Sequence, residues 1–416
     1  MAEIIETEIC VIGGGLAGGL AACAFAHRGF SVALVDAQDP ETLKDAGFDG
    51  RTTAISYASA RLFQRLGVWD ALEADAEAIR DILITDGRAK NRLQNGVISN
   101  FSLQFDSSEL DGETPLGWII ENRHLRRAIL DVIKQNPNIR MIAPAKRLST
   151  VYQAGTAQTI LDSEDEIHSA LVIAADGRFS ALRGEANIKI NNWRYNQTGI
   201  VATVAHERPH QGVAHEFFLP SGPFAILPMT NDRSSLVWTE RSDAAKAYLA
   251  LDENGFAQEI QNRFGDHLGK VMPEGPRWSY PLAFHLAHEF VAPRLALIGD
   301  AARAIHPIAG QGYNLGVKDI AALTDVITEG RDVGLDIGAM TVLEKYQRWR
   351  RFDSVTLALG TDALNRLFSN DFAPLRAARD IGMGAVGRIA PLRKFFMRHA
   401  GADVGNLPSL MARETV

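Results

Sequence analysis

Cysteine is almost missing from this chain: Cys10 and Cys23 are the only two among 416 residues. A disulfide framework is excluded, and both residues read as apolar packing groups in a reducing compartment. Basic charge is in deficit as well, with 43 Lys and Arg against 50 Asp and Glu and a formal net charge of −7. Nucleic acid is therefore not expected as a partner. Long apolar runs are lacking too. The stretch from Cys10 to Ala26 comes nearest to a signal sequence, but Glu3, Glu6 and Glu8 stand where basic residues would be, and five glycines interrupt it. A soluble or membrane-peripheral protein is expected. Its length suits two intimately joined domains, or one domain with a large insertion.

What is present begins at Glu8. An apolar run, Ile9 to Ile12, breaks at Gly13, Gly15 and Gly18 in the pattern G-x-G-x-x-G. A helix of small residues follows, then a β-rich run from Ser31 to Val35 that ends on Asp36. Gly13 allows a tight turn off the strand, Gly15 lets backbone approach a pyrophosphate, and Gly18 lets helix and strand pack closely. The helix start offers unpaired N–H groups and the positive end of a dipole. Asp36 lies 18 residues beyond Gly18, close to the spacing of an acid that accepts a ribose hydroxyl. The unit is a βαβ built for an adenine dinucleotide.

A polar loop then leads to Asp49-Gly50-Arg51-Thr52-Thr53-Ala54-Ile55-Ser56 and an amphipathic helix from Ser59 to Leu66. Arg51 is placed either to meet a phosphate or a flavin, or to be a solvated loop residue. Residues 80–120 alternate as strands do, in Ile82-Leu83-Ile84-Thr85 and Phe101 to Phe105. A helix resumes at Asn122 with Arg123 and His124 in its first turn, followed by a strand at Arg140–Ile142 and a hairpin through Thr150 to Leu161. A buried strand then ends at Asp176-Gly177, with Ser180 and Arg183 behind it. Residues 190–290 read as an antiparallel sheet suited to roofing a pocket, with Phe224–Pro228 and Ser235–Thr239 paired and one helix over 243–264.

A third motif joins Gly299-Asp300-Ala301-Ala302 to His306-Pro307 and Gly310-Gln311-Gly312-Tyr313-Asn314. Asp300 ends a strand, where it either accepts hydrogen bonds from a polyol or caps a helix. The helix start at Gly310–Asn314 can stabilise negative charge. Beyond Val333 the chain is helical. Within 372–400, Arg376, Arg379, Arg388, Arg393, Lys394 and Arg398 face a single acid, Asp380, and interleave with large apolar residues. That pattern fits a helix on an anionic surface, and equally a helix packed on the body with solvated basic residues.

Together the three motifs, in this order, resemble the class A flavoprotein aromatic hydroxylases. Arg51 in Asp-Gly-Arg-Thr-Thr-Ala-Ile-Ser, the pattern Gly-Asp-Ala-Ala to His-Pro-x-Ala-Gly-Gln-Gly-x-Asn at 299–314, and Leu367-Phe368-Ser369-Asn370 with Pro391-Leu392 are similar to the ubiquinone-biosynthesis hydroxylases in particular. Arg303 and Tyr313 depart from that subfamily's usual His, and Leu or Phe. The resemblance implies an α/β fold: a Rossmann-like FAD-binding domain (1–80, 120–190 and 290–330) interleaved with an antiparallel-sheet substrate domain (81–119 and 191–289) and C-terminal helices (331–416). It implies FAD, with Gly13, Gly15, Leu16, Ala17, Gly18 and Asp36 on the ADP half and Arg51 and Arg123 along the cofactor. Asp176 would contact FAD and, transiently, NAD(P)H. Gly299 and Asp300 would take the ribityl chain, and Pro307, Gly310, Gly312, Tyr313 and Asn314 the flavin ring. NAD(P)H would donate electrons, and a flavin C4a-hydroperoxide would hydroxylate the ring of a polyprenylated phenol.

No catalytic side chain and no metal site are assigned. Open alternatives are a class A hydroxylase of another small aromatic substrate and a non-catalytic flavin or quinone-binding member of a biosynthetic assembly. A flavin dehydrogenase or halogenase on the same cofactor fold is the other; Trp193 and Trp238 are isolated, unlike a halogenase's Trp-rich motif. Segment 372–400 would dock on a membrane or on a quinone-biosynthesis assembly, placing a cytoplasmic protein on the membrane's inner face.

Overall fold

A computed structural model describes residues 2–44, 47–86, 102–110, 114–305, 310–368, 386, 388–401, 403 and 405–413. Strand β1 (Ile4–Ile12) pairs in parallel with β2 (Val32–Val35) and β11 (Glu166–Ala174), β2 with β8 (Ile139–Ile142), and β11 with β18 (Leu295–Leu297). Short β17 (Val291–Ala292) closes one edge, while a hairpin of β9 (Arg147–Tyr152) and β10 (Ala157–Leu161) lies on the first half of β11. Ile9–Ile12 and Leu171–Ala174 are buried throughout, as a parallel sheet covered on both faces demands. Helix α1 (Leu16–His27) contacts both α4 (Asn122–Gln135) and α8 (Gln311–Asp332), so every residue from Gly18 to Ala26 is buried and no polar face is needed. Short α2 (Pro40–Lys44) leans on α4. Cys10 and Cys23 are buried and unpaired here, and burial pushes both thiols up to about 12.

A three-stranded sheet, β3 (Thr52–Ser56), β7 (Gly117–Glu121) and β4 (Glu77–Ile79), carries the chain toward the second large sheet. Helix α3 (Tyr57–Arg65) starts where Ser56 accepts the Ser59 N–H. The second sheet runs β19 (Arg303–Ala304), β16 (Val271–Ala287), β12 (Ile190–His206), β15 (Arg233–Arg241), β14 (Gly222–Met229), β13 (Val213–Leu219), β5 (Asp81–Asp86), β6 (Ser102–Asp106). Its pairs are antiparallel except β13 with β5, which enter the sheet from the same end, where the Arg80 N–H donates to the Gly212 carbonyl. One face packs Phe217, Phe224, Ile226, Leu236 and Trp238 onto Phe256, Ile260 and Phe264.

The single helix expected over 243–264 is two, α6 (Ser242–Leu249) and α7 (Glu253–Phe264). Asp252 leaves the helix to accept the Gly255 N–H and cap the second one. Short α5 (Ala181–Glu185) follows β11. At the C-terminal end α9 (Met340–Phe368) packs on α8, and α10 (Ala390–Ala400) follows. Residues 372–385, half of the basic segment, lie outside the described residues. Among the described residues no helix is long and apolar enough to cross a membrane.

Candidate functional site

The glycines of the first motif do different jobs. A Cβ on Gly13 would sit 2.4 Å from the Ala175 carbonyl oxygen, and one on Gly18 only 1.7 Å from that of Gly13. Both positions are closed by backbone, and Gly13 also needs φ +103°. Gly15 is the opposite case. Its φ is −63°, nothing lies within 4 Å of where its Cβ would be, and it precedes α1 without a capping side chain. The N–H groups of the first turn therefore face open space. Asp36 lies beside them: one oxygen accepts the Gly14 N–H, the other the Gln38 N–H at 2.6 Å. Each carboxylate oxygen keeps a second lone pair.

The second and third motifs are stapled together. Asp176 accepts the Leu182 N–H at 3.3 Å through Oδ2, while Oδ1 is buried with no partner among the described residues. Arg183 spans to the third motif, donating to the Ala301 carbonyl at 2.7 Å and to that of Arg178 at 3.0 Å. Asp300 stands in a single 3-10 turn, Gly299–Ala301. Solvent reaches its carboxyl, yet the surrounding protein raises its pKa by desolvation, with Arg303 and Arg178 opposing. An exposed atom set inside so much protein marks the wall of a concavity. Burial drives His285 down to about 4, so its ring is neutral at pH 7 and Nε2–H donates to the Asp300 carbonyl at 2.9 Å.

Helix α8 begins at Gly310, a left-handed residue with φ +61° and no side-chain cap. Tyr313 donates its hydroxyl to the Leu16 carbonyl at 3.2 Å. Asn314 lies along β3 as another strand would, donating to the Ala54 carbonyl and accepting the Ser56 N–H, each at 2.9 Å. A Cβ on Gly299 would lie 3.6 Å from that of Ala17, and one on Gly312 would meet nothing within 4 Å. Leu16 and Ala17 of the first motif thus meet Tyr313 and Gly299 of the third. Pro307 lies outside the described residues.

The two arginines are paired in place. Arg51 reaches the Asp49 carboxylate at 2.6 Å and rests on the Trp278 ring. Arg123 meets Glu121 at 2.7 Å, which also takes Arg233 at 2.8 Å. The sheet above the site is anchored by Thr52 Oγ1, which donates to Ser235 Oγ at 2.9 Å, and by Trp278 Nε1, which donates to the Asp49 carbonyl.

One cluster escaped the sequence reading. Asp319, fully buried in α8, accepts the Gly299 N–H at 3.1 Å, Arg303 at 2.8 Å and the fully buried Arg350 at 2.9 Å. Arg303, at a position where the resemblance led one to expect His, is thus a structural cation. The available signal was Lys318-Asp319 inside an otherwise apolar helix face.

Residues 6–332 match a family described as FAD binding domain. The chain is 46% identical over 393 residues to ubiquinone hydroxylase UbiL of Rhodospirillum rubrum, covering 94% of this chain and 89% of that one. It is 33% identical to the 3-demethoxyubiquinol 3-hydroxylase of Escherichia coli, covering 95% and 98%. Among solved structures, p-nitrophenol 4-monooxygenase PnpA from Pseudomonas putida DLL-E4 superposes with a TM-score of 0.79 at 18% identity, over 97% of this chain and all of that one, a likeness of fold.

Proposed function

Because this chain belongs to the FAD-dependent hydroxylases of ubiquinone biosynthesis, in the class A aromatic hydroxylase family, we propose that a polyprenylated phenol is hydroxylated beneath the second sheet, beside β3 and the start of α8. The observation that carries the site is the convergence of three motifs on two uncapped helix starts. FAD suits the residues present: Gly15 leaves an open approach to the first helix start, Asp36 keeps acceptor capacity for a ribose, and Asp176 carries a buried unpartnered oxygen. Bound there and reduced by NAD(P)H, FAD supplies the redox power over O₂ that side chains lack.

The chain's own part is binding, orientation and exclusion of water. Gly13–Gly18 and Asp36 would hold the ADP half, Asp300 the ribityl chain, and the N–H groups after Gly310 the electron-rich edge of the ring. Asn314 would act indirectly, since its amide is committed to β3. Arg51 would have to leave Asp49 to serve a phosphate. Val201, Val237 and Ala225, aligned across the roof sheet, offer an apolar wall for the ring.

Asp300→Ala is expected to weaken FAD retention roughly ten- to hundredfold, since a charge-assisted hydrogen bond is worth about 1.5–3 kcal/mol. Flavin absorbance after gel filtration measures it, and undiminished retention removes Asp300 from the site. The substrate is tested by extracting quinone precursors from a strain lacking the protein. An accumulated polyprenyl phenol one hydroxyl short supports the reading, and an unchanged quinone profile sinks it.

An anionic lipid surface is the proposed docking partner, reached through α10. Arg393 is spoken for, meeting Glu109 at 3.0 Å and fixing α10 to the segment after β6. Outside this anchor, Ile389, Phe395 and Phe396 are exposed beside Arg388 and Lys394, on a protein of net charge −7. A nearly insoluble prenylated substrate favours such a surface. Changing Arg388 and Lys394 to Gln should weaken binding to phosphatidylglycerol vesicles by up to about thirtyfold, at up to about 1 kcal/mol per charge. Equal vesicle binding by parent and variant would reduce α10 to structural cover.

A further inference from the structure

Alternation along β13 sends Phe217 and Leu219 into the core beneath α7 and turns Glu216 to the opposite face, where Ala214 packs on the main core. Register sets Glu216 at the head of a row that crosses the sheet through Ala225, Val237 and Val201 to Trp278. The adjacent row holds Ser235, which touches Thr52 of β3, and the far end of Glu216's own row is tied to the loop before β3 through Trp278. Glu216 therefore overlooks the space beside β3. It is half-buried, and no described residue donates a hydrogen bond to it. Its neighbours in register, Ala225 and Ile84, are apolar. Packing alone would put an apolar residue there, because burying an unpartnered carboxyl is costly.

We propose that Glu216 is the proton acceptor for the substrate's phenolic hydroxyl, an assignment that rests on the phenol reading above. In that step the phenol O–H bond breaks and a Glu216 Oε–H bond forms. The electron pair stays on the phenolate oxygen and spreads into the ring, making its ortho and para carbons nucleophilic. One of them bonds to an oxygen atom of O₂ that two electrons from NAD(P)H have brought to the peroxide level. As that C–O bond forms, the O–O bond breaks and the second oxygen leaves at the level of water. The proton lost from that carbon restores aromaticity, and the Glu216 proton returns to the product.

Desolvation alone pushes Glu216 up to about 8, far closer to a phenol's value of about 10 than an ordinary carboxyl is, which is what proton transfer requires. Among the described residues no charged group contributes to that shift. His215 stacks with Phe217 and lies tilted against His267 on the other face, Asp86 lies beside Phe218 on β5, and Tyr280, itself raised by desolvation, stands opposite Gly199 on β16. Since the folded value exceeds the unfolded 4.5, the folded protein keeps a proton that the unfolded chain releases, and stability falls as pH rises from 4.5 to about 8.

The test uses oxidised holoenzyme without NAD(P)H and an ortho-prenylated fluorophenol, whose ionisation is read by fluorine NMR. In the parent the ionised carboxylate beside the bound probe should hold the phenol neutral and raise its midpoint. In Glu216→Gln the midpoint should fall by at least about one unit, because the adjacent negative charge is gone, while kcat should fall about a hundredfold or more. Glu216→Asp, which keeps a carboxyl, should titrate above the Gln variant. At pH 9 Glu216→Gln should melt above the parent, a sign that the variant folds and that the ionised carboxyl was a burden. Identical probe midpoints in parent and Gln variant would overturn the assignment while leaving the phenol reading standing. A probe that binds neither protein would bring down the phenol reading, and the assignment with it.

Discussion

Gly15→Val yields a folded, colourless protein. Valine fits the backbone at φ −63°, and its side chain projects where no protein atom lies within 4 Å. The fold should therefore be spared, while the branched side chain blocks the approach to the first turn of α1. FAD affinity should drop at least about a thousandfold, or roughly 4 kcal/mol. Circular dichroism should match the parent, and reconstitution with FAD should fail. Gly18→Val makes the contrast, because even its Cβ would collide with the Gly13 carbonyl, so there the fold itself should be lost. If Gly15→Val retained flavin at parental affinity, the cofactor would have to enter elsewhere.

Asp319→Ala should be strongly destabilising while still leaving a protein that folds. Arg303 and Arg350, exposed by 3% and 0%, would lose their shared carboxylate, and the Gly299 N–H its acceptor. Removing one partner of a buried ion pair costs about 3–5 kcal/mol, because the remaining charge stays buried. The urea midpoint should fall accordingly, and FAD should dissociate more readily because Gly299 no longer fixes the turn that bears Asp300. Asp319→Asn, which keeps an acceptor but no charge, should fall between. A parental urea midpoint for Asp319→Ala would mean that the two arginines find other partners at no cost.

Local patterns made the parallel core readable. Ile9–Ile12 and Leu171–Ala174 are buried on both faces and so appear as plain apolar runs, and the helix at Asn122–Gln135 is amphipathic from end to end. Glycine chemistry was legible because backbone contacts that close leave no alternative residue, as at Gly13 and Gly18. Long-range pairing was not. Nothing near Arg183 in sequence points to Ala301, and nothing near Asn314 points to β3. The parallel β13–β5 pair depends on how two distant segments enter one sheet, which alternation cannot report. Glu216 was invisible for a related reason: a lone acid in His215-Glu216-Phe217 reads as an outward-facing residue until the sheet shows which face is covered.

The bonds from Asn314 to β3 and from Tyr313 to Leu16 also set a schedule for the newborn protein. The nucleotide loop leaves the ribosome first, but the residues that complete its surroundings arrive some 300 positions later, after the whole roof sheet has been made. Until then the edge of β11 that β18 will cover, Val172–Ala174, is bare. Contacts of such sequence separation form slowly, and an uncovered apolar strand invites pairing with a neighbour. Until those distant contacts form, that bare strand is where the chain is most open to pairing with a neighbour.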